Sequence, residues 1–256
     1  MAAPTYTVEV IVLRKTKLGE TDLILTCLTT SGAQAQFVAK GARKPTSSFA
    51  SRLELFSHAI LLAVKGKSLD IVKEVRLVEG FPHTRQDFRR SSVAQVVCEF
   101  LCKATEPGLD VERLFPMTCA ALSEMERCEE GTLDTLVTAF LVKGFAFCGL
   151  RPELFRCVGC GEDVVAQREA GETSWFSYID GGVVCPACRS HMECVAIEGP
   201  VFEWLAFLMG NTFADIAKTD AGPVIFACLQ VCQQWCRTHI GVSLKSLDFL
   251  LTNPLA

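Results

Sequence analysis

Cys157-Val158-Gly159-Cys160-Gly161, followed by Cys185-Pro186-Ala187-Cys188, is the passage on which the reading of this 256-residue chain turns. A Cys-x2-Cys pair folds as a tight knuckle that aims both thiolates at one point. Two such knuckles supply the four soft ligands of a closed tetrahedral structural zinc site. The 24 residues between Cys160 and Cys185 exceed the usual spacing of about 15–20, but they contain the parts of a hairpin. Thr173-Ser174-Trp175-Phe176-Ser177-Tyr178-Ile179 is rich in strand formers, Asp180-Gly181-Gly182 supplies a turn, and Val183-Val184 leads into the second knuckle. The expectation is a zinc ribbon over residues 156–194, with Cys157, Cys160, Cys185 and Cys188 as ligands and the metal as a staple.

The chain has fourteen cysteines, so the other ten need a reading too. Cys98 with Cys102, and Cys228 with Cys232 and Cys236, are four apart. That is helical spacing, and they read as small buried hydrophobes, as do the isolated Cys27, Cys119, Cys128 and Cys148. His191 or Cys194 is an alternative fourth ligand. Zinc deaminases carry His-x-Glu ahead of Pro-Cys-x-x-Cys. Here His191-Met192-Glu193 comes after the second knuckle, and Val184 precedes Cys185. Four cysteines also leave no open position for a metal-bound water. A thioredoxin-like pair needs a single motif near a βαβ pattern.

Half of the residues are hydrophobic, which supports one large or two to three small domains. Apolar runs such as Ala59-Ile60-Leu61-Leu62-Ala63-Val64 fall far short of the roughly 20 residues that span a bilayer. The start, Met1-Ala2-Ala3-Pro4-Thr5, has neither the basic segment nor the apolar core of an export signal. Many cysteines without such a signal predict a reducing cytoplasm. Net charge is −4, unevenly spread: residues 1–80 carry eleven Lys/Arg and seven Asp/Glu, and residues 81–256 carry fourteen and twenty-two. A basic N-terminal part on an acidic remainder is the asymmetry of a domain that meets a polyanion.

That basic part reads as strands. Tyr6–Leu13, Asp22–Leu28, Gln34–Lys40, Leu53–Val64 and Leu69–Val78 are short apolar or β-branched runs. In the third, Ala35, Phe37 and Ala39 share one face, with Gln34, Gln36 and Lys40 on the other. Five short strands in about seventy-five residues predict a closed barrel of the OB type, whose second and third strands and adjoining loops meet nucleic acid. Its cations fall there. Arg14, Lys15 and Lys17 sit in the first hairpin and Lys40 ends strand three. Arg43 and Lys44 occupy a Gly-bounded loop before Pro45, and Arg52 lies near the rim. These seven are the candidate nucleic-acid contacts, lining one groove.

After Phe81-Pro82 the period changes. Val93, Val96, Val97, Phe100 and Leu101 mark one helix. Leu133, Leu136, Val137, Phe140, Leu141, Gly144, Phe145 and Cys148 mark one face of another, with Lys143 outside it. Helices resume at 202–209 and 224–240. The fold class expected is α+β: an OB barrel over residues 1–80, then a helical domain, 81–256, carrying the inserted ribbon. The chain lacks the P-loop, Gly-x-Ser-x-Gly and His-Glu-x-x-His motifs. Its four histidines, His58, His83, His191 and His239, read as surface or satisfied core residues, so no catalytic activity is expected.

Barrel, helical body and four-cysteine ribbon together resemble the RecO family of bacterial DNA repair and recombination mediators. Ile11-Val12-Leu13-Arg14 leading into Leu18-Gly19-Glu20-Thr21-Asp22 is similar to that family's first hairpin. Val38-Ala39-Lys40-Gly41-Ala42-Arg43-Lys44-Pro45 looks like its basic segment. Cys157-Val158-Gly159-Cys160 with Gly182-Val183-Val184-Cys185 matches its ribbon, and Leu244-Lys245-Ser246-Leu247-Asp248-Phe249-Leu250 its C-terminal signature. The resemblance, from about residue 6 to 251, implies a non-catalytic, nucleoid-associated protein. Such a protein binds single- and double-stranded DNA, anneals strands, and works with the RecR protein and the single-strand-binding protein to load the recombinase. It further implies an apolar groove in the helical domain for the acidic C-terminal tail of the single-strand-binding protein, for which Lys143 and Arg113 are candidate cations.

Two other classes stay open on the residues alone: a protein-interaction adaptor with a structural zinc and no nucleic-acid binding, and an enzyme using the ribbon as a substrate clamp. Oligonucleotide binding separates the adaptor from the mediator.

Overall fold

The computed structural model describes residues 4–49, 51–164 and 171–253. Residues 165–170, inside the expected ribbon insertion, and residues 1–3 at the start of the chain lie outside that description. The chain divides into two compact units, Met1–Arg127 and Cys128–Ala256.

In the first unit five strands close into a barrel in the order β1-β2-β3-β5-β4, with β1 Thr5–Leu18, β2 Asp22–Thr29, β3 Gln34–Ala39, β4 His58–Val64 and β5 Asp70–Glu79. The strand β1 is long because it serves two partners. Thr5 to Ile11 pair antiparallel with β4, and Val10 to Leu18 pair with β2. The two pairings overlap at Val10 and Ile11, and just past that overlap the register slips between Val12 and Arg14. The extra residue, Leu13, makes a β-bulge that bends the strand and helps the sheet curl shut. A short parallel pairing of Phe37 and Val38 with Asp70 and Ile71 completes closure. Alternation then fills the barrel. Val10, Val12, Leu25, Cys27, Phe37, Ala39, Ala59, Leu61 and Ala63 form its core, and Tyr6, Val8 and Ala35 pack against it.

The fourth strand starts later than the apolar run at Leu53 suggests. Phe56 has φ +71°, its N–H goes to the Val12 carbonyl at 2.9 Å, and Val12 N–H goes to Ser57 O at 3.0 Å. Residues 53–57 therefore form a corner, with Leu53 and Phe56 turned into the interior. The helices α1 (Pro82–Gln86), α2 (Phe88–Ala104) and α3 (Leu114–Arg127) belong to the same compact unit as the barrel. Asp87 caps α2 by accepting from Arg90 N–H. Val93, Val96, Val97, Phe100 and Leu101 are all buried, and Gln34 Nε2 donates to the carbonyls of Cys102 and Thr105 at the end of α2, at 3.3 and 3.1 Å.

The second unit is built around α4 (Leu133–Phe147), against which α5 (Gly199–Gly210), α6 (Phe213–Ile216) and α7 (Val224–Trp235) pack. The periodicity predicted one buried face, but the helix is buried on nearly every side: Thr135, Thr138, Ala139 and Val142 are as enclosed as Leu136 and Phe140. Helices on several sides leave a central helix no solvent face. After α7 one π-turn, Cys236–Ile240, leads to α8 (Lys245–Thr252). Gln233 of α7 secures that last helix: its Nε2 donates to Ser243 Oγ and to Leu244 O, each at 3.0 Å, and to Asp248 Oδ1.

Between α4 and α5 lies a three-stranded sheet ordered β7-β6-β8, from Ser174–Ser177 (β6), Gly182–Val184 (β7) and Val195–Ile197 (β8). Phe176, fully buried, fixes this sheet to the helices through ring contacts with Phe202 and Trp235, and Trp235 Nε1 donates to Leu150 O at 3.0 Å. Among the described residues no helix is long and apolar enough to cross a membrane.

Candidate metal centre and nucleic-acid interface

The second knuckle directly follows β7, and the first is held beside it by Val158 N–H donating to Val183 O at 2.9 Å. The ligand atoms of Cys157, Cys160, Cys185 and Cys188 all lie within 4.8 Å of one another, the only group of this kind among the described residues. Four sulfurs at about 2.3 Å from a tetrahedral centre stand about 3.8 Å apart, and the Cys160 and Cys185 sulfurs are 3.7 Å apart. Local sequence makes this approach possible. A Cβ on Gly159 would sit 3.1 Å from Cys188 Sγ, and Gly161 closes the knuckle with φ +80°.

Burial pushes the Cys157 thiol up, yet N–H donors from Cys185, Cys160 and Gly159 outweigh it and bring it down to about 6. The Cys185 N–H lies 3.3 Å from Cys157 Sγ. Cys188, hydrogen-bonded to the sulfurs of Cys185 and Cys160, is pushed up to about 12. Four thiols so close cannot all ionise without a cation among them, which is the situation a divalent metal resolves. His191 and Cys194 fall outside the four-sulfur group.

The barrel cations are sorted by the bulge at Leu13. Before it, Val10 and Val12 face the core. After it the parity reverses: Lys15 stands opposite Leu25 and Lys17 opposite Leu23, so these two lysines continue the inner face along the part of β1 that pairs with β2 alone. Arg14, paired with Thr26, takes the outer face, where its charge reaches Cys102 of α2.

Lys15 and Lys17 share a cavity of about 530 Å³ with Arg43 and Lys44. Arg43 is held there by donating to the carbonyls of Gly19 and Glu20, at 3.2 and 2.8 Å. Lys15 forms an ion pair with Glu54. Asp22 organises the loop from below. It accepts from Gly41 N–H at 2.7 Å and from Thr21 Oγ1 at 2.9 Å. Those hydrogen bonds, Gly41 first, with the charges of Lys40 and Lys44, hold its carboxyl below the usual carboxylate range. Lys40 is exposed beside this turn. Arg52 is exposed and donates to Val75 O at 3.2 Å. The structure thus brings four of the seven cations to one cavity, keeps Lys40 next to them through Asp22, and sets Arg14 apart.

In the second unit Lys143 lies beside a different cavity, of about 300 Å³, with Arg151 as the other cation and Phe147, Phe155 and Met209 as apolar lining. Burial pushes the Lys143 ammonium down, and it donates to Met209 O at 3.0 Å. Arg113 is exposed in the first unit, just before α3. Arg151 had no signal in the sequence, because the loop after α4 has no period from which to place a side chain.

Closed five-stranded barrel, helical second unit and four-sulfur cluster define a class: an OB-barrel protein with an appended helical body and a four-cysteine cluster. The comparisons give its family. Residues 1–81 match the family model "Recombination protein O N terminal", and residues 85–248 match "Recombination protein O C terminal". A curated relative from Desulfitobacterium hafniense, named DNA repair protein RecO, is 36% identical over 192 residues, covering 75% of this chain and 67% of its own. Relatives of the same name from Alkaliphilus metalliredigens and Bifidobacterium adolescentis are 31% and 30% identical, over 93% and 96% of this chain and 95% and 99% of theirs. The chain belongs to the RecO family.

Proposed function

We propose that this protein is a non-catalytic DNA-binding recombination mediator of DNA repair, acting in the cytoplasm at the nucleoid. On this reading residues 1–80 are the nucleic-acid-binding domain, and residues 81–256 are the helical domain that meets its partners. It binds single- and double-stranded DNA, promotes annealing, and assists recombinase loading together with the RecR protein and the single-strand-binding protein.

The observation that carries the reading is the convergence of Lys15, Lys17, Arg43 and Lys44 on one cavity of the OB barrel. Lys17, Arg43 and Lys44 in one groove neutralise successive phosphates and release their counterions, which gives affinity without sequence preference, while Lys15 is held by Glu54. Lys40 and Arg52 extend the surface at its edges. Arg14, on the outer face of β1, takes no part in this groove.

The cluster of Cys157, Cys160, Cys185 and Cys188 is proposed to hold one structural zinc. Four sulfur donors at this spacing suit the ion and close its coordination, so the metal stabilises the ribbon and activates no water. For the acidic tail of the single-strand-binding protein, the cavity between Lys143 and Arg151 combines an apolar lining with two cations, as recognition of a C-terminal carboxylate requires.

The test is oligonucleotide binding across a salt series. Affinity is expected to fall with a log–log slope of about −0.7 per phosphate neutralised on a single strand. Changing Lys40, Arg43 and Lys44 together to Ala should weaken binding and flatten that slope by roughly two units. Unchanged affinity and slope would overturn this surface; no binding by the unaltered protein would favour a protein-interaction adaptor.

A further inference from the structure

The cationic cavity of the barrel has an apolar lining, which phosphate contacts do not call for. Leu23, Ala42, Phe49 and Leu53 line it together with the cations. Leu53 and Ala42 belong to the barrel core, and Phe49 packs against that core while remaining only partly buried. Phe49 is positioned by its own loop: its N–H goes to Ser47 Oγ at 3.2 Å, and its carbonyl accepts from Arg52 and Leu53 at 3.0 and 3.1 Å.

Resting on the DNA-binding reading above, we propose that this cavity takes one unpaired nucleobase, which stacks on Phe49 while its flanking phosphates ride on Lys17, Arg43 and Lys44. Charge placement argues for that division. Glu54 sits on the cavity wall, paired with Lys15. A carboxylate there repels a phosphate that enters and cancels the charge of the lysine beside it, so the interior suits a neutral ring and the rim suits anions. Arg43, anchored to the hairpin carbonyls of Gly19 and Glu20, stays at the mouth.

Every base has a π-face, so stacking in such a site is tolerant of sequence. A base in a duplex is already paired and stacked, and it enters only if it is first flipped out at a cost. The cavity therefore makes the barrel prefer single strands, and the preference resides in Phe49 rather than in the cations.

The experiment uses the full chain and three probes of equal length at low salt: a fluorescent oligothymidylate, the same strand with abasic residues throughout, and a blunt duplex. Phe49→Ala should weaken oligothymidylate binding by about fivefold or more, with the abasic strand, the duplex and the salt slope unchanged. Phe49→Leu keeps apolar bulk against the barrel core, loses the π-face, and should give the same pattern if Phe49→Ala fails to fold. The unaltered protein should hold the abasic strand as weakly as Phe49→Ala holds oligothymidylate. Equal affinity of the unaltered protein for abasic and normal strands would overturn the inference, as would a Phe49→Leu variant indistinguishable from it. Either result leaves the DNA-binding reading standing if the salt slope persists. Absence of binding to all three probes would remove both.

Discussion

Arg14 and Lys15 are adjacent in the chain, yet they stand on opposite faces of β1, because the bulge at Leu13 places Lys15 opposite Leu25 and Arg14 opposite Thr26. Strand alternation counted from Val10 and Val12 gives the reverse assignment. The consequence is measurable. Lys17→Ala should weaken single-strand binding and reduce the salt slope by about 0.7, whereas Arg14→Ala should leave both unchanged. Titration of a labelled strand at several salt concentrations reads the difference; an Arg14 effect as large as that of Lys17 would remove Arg14 from the outer face.

Metal content follows from the sulfur cluster. Purified, fully reduced protein should carry close to one zinc per chain by elemental analysis. Cys157→Ser or Cys188→Ser should lose the metal and lower the melting temperature, because structural zinc binding is coupled to folding. Zinc-free protein of unchanged stability would refute the assignment.

Asp22 makes the basic loop sensitive to acid. Its folded-state carboxyl lies below the ordinary value, chiefly through the Gly41 N–H. The stabilisation is therefore complete above the unfolded value of about 3.9 and is lost as pH falls through the lower folded value. The gap in melting temperature between the unaltered protein and Asp22→Ala should be constant from about pH 5 to 7 and close below about pH 4. A gap independent of pH would mean that the carboxylate charge contributes nothing.

The end of the chain is locked by Gln233, only 2% exposed. Beyond its three donor contacts, its Oε1 accepts from Leu244 N–H at 3.3 Å. Gln233→Leu keeps the volume but strands the buried Leu244 N–H, at a cost of about 1–3 kcal/mol, while the Leu244 carbonyl keeps the Asp248 N–H at 2.9 Å. Denaturant unfolding should show that loss, with hydrogen-exchange protection falling across α8 and DNA affinity retained. Undiminished α8 protection would show that apolar packing of Leu247 and Leu250 suffices.

For the partner groove, Arg151→Glu reverses one of its two cations. Binding of a peptide with the acidic C-terminal tail of the single-strand-binding protein should weaken by at least about tenfold, since a charge-assisted hydrogen bond contributes about 1.5–3 kcal/mol. Oligonucleotide affinity should not change. Tail binding that survives the change would place the groove elsewhere.

Local chemistry made much of this protein legible. Cys-x2-Cys knuckles fold on themselves, so Cys157, Cys160, Cys185 and Cys188 announced their cluster without any tertiary information. Alternation in β3 placed Phe37 and Ala39 inside for the same reason: the pleat has period two wherever a strand is regular. What the tertiary structure alone decided lies where that regularity breaks. The bulge at Leu13 exists because one strand must pair with both β2 and β4 around a closed barrel, and no residue within β1 encodes that demand. Its effect is to reassign Arg14, Lys15 and Lys17. Burial of α4 on nearly every side depends on helices supplied by residues far along the chain. Phe49 and Arg151 sit in loops without a period, where only packing fixes direction. Short-range spacing is written in neighbouring residues; which face a side chain finally takes depends on partners that the sequence places elsewhere.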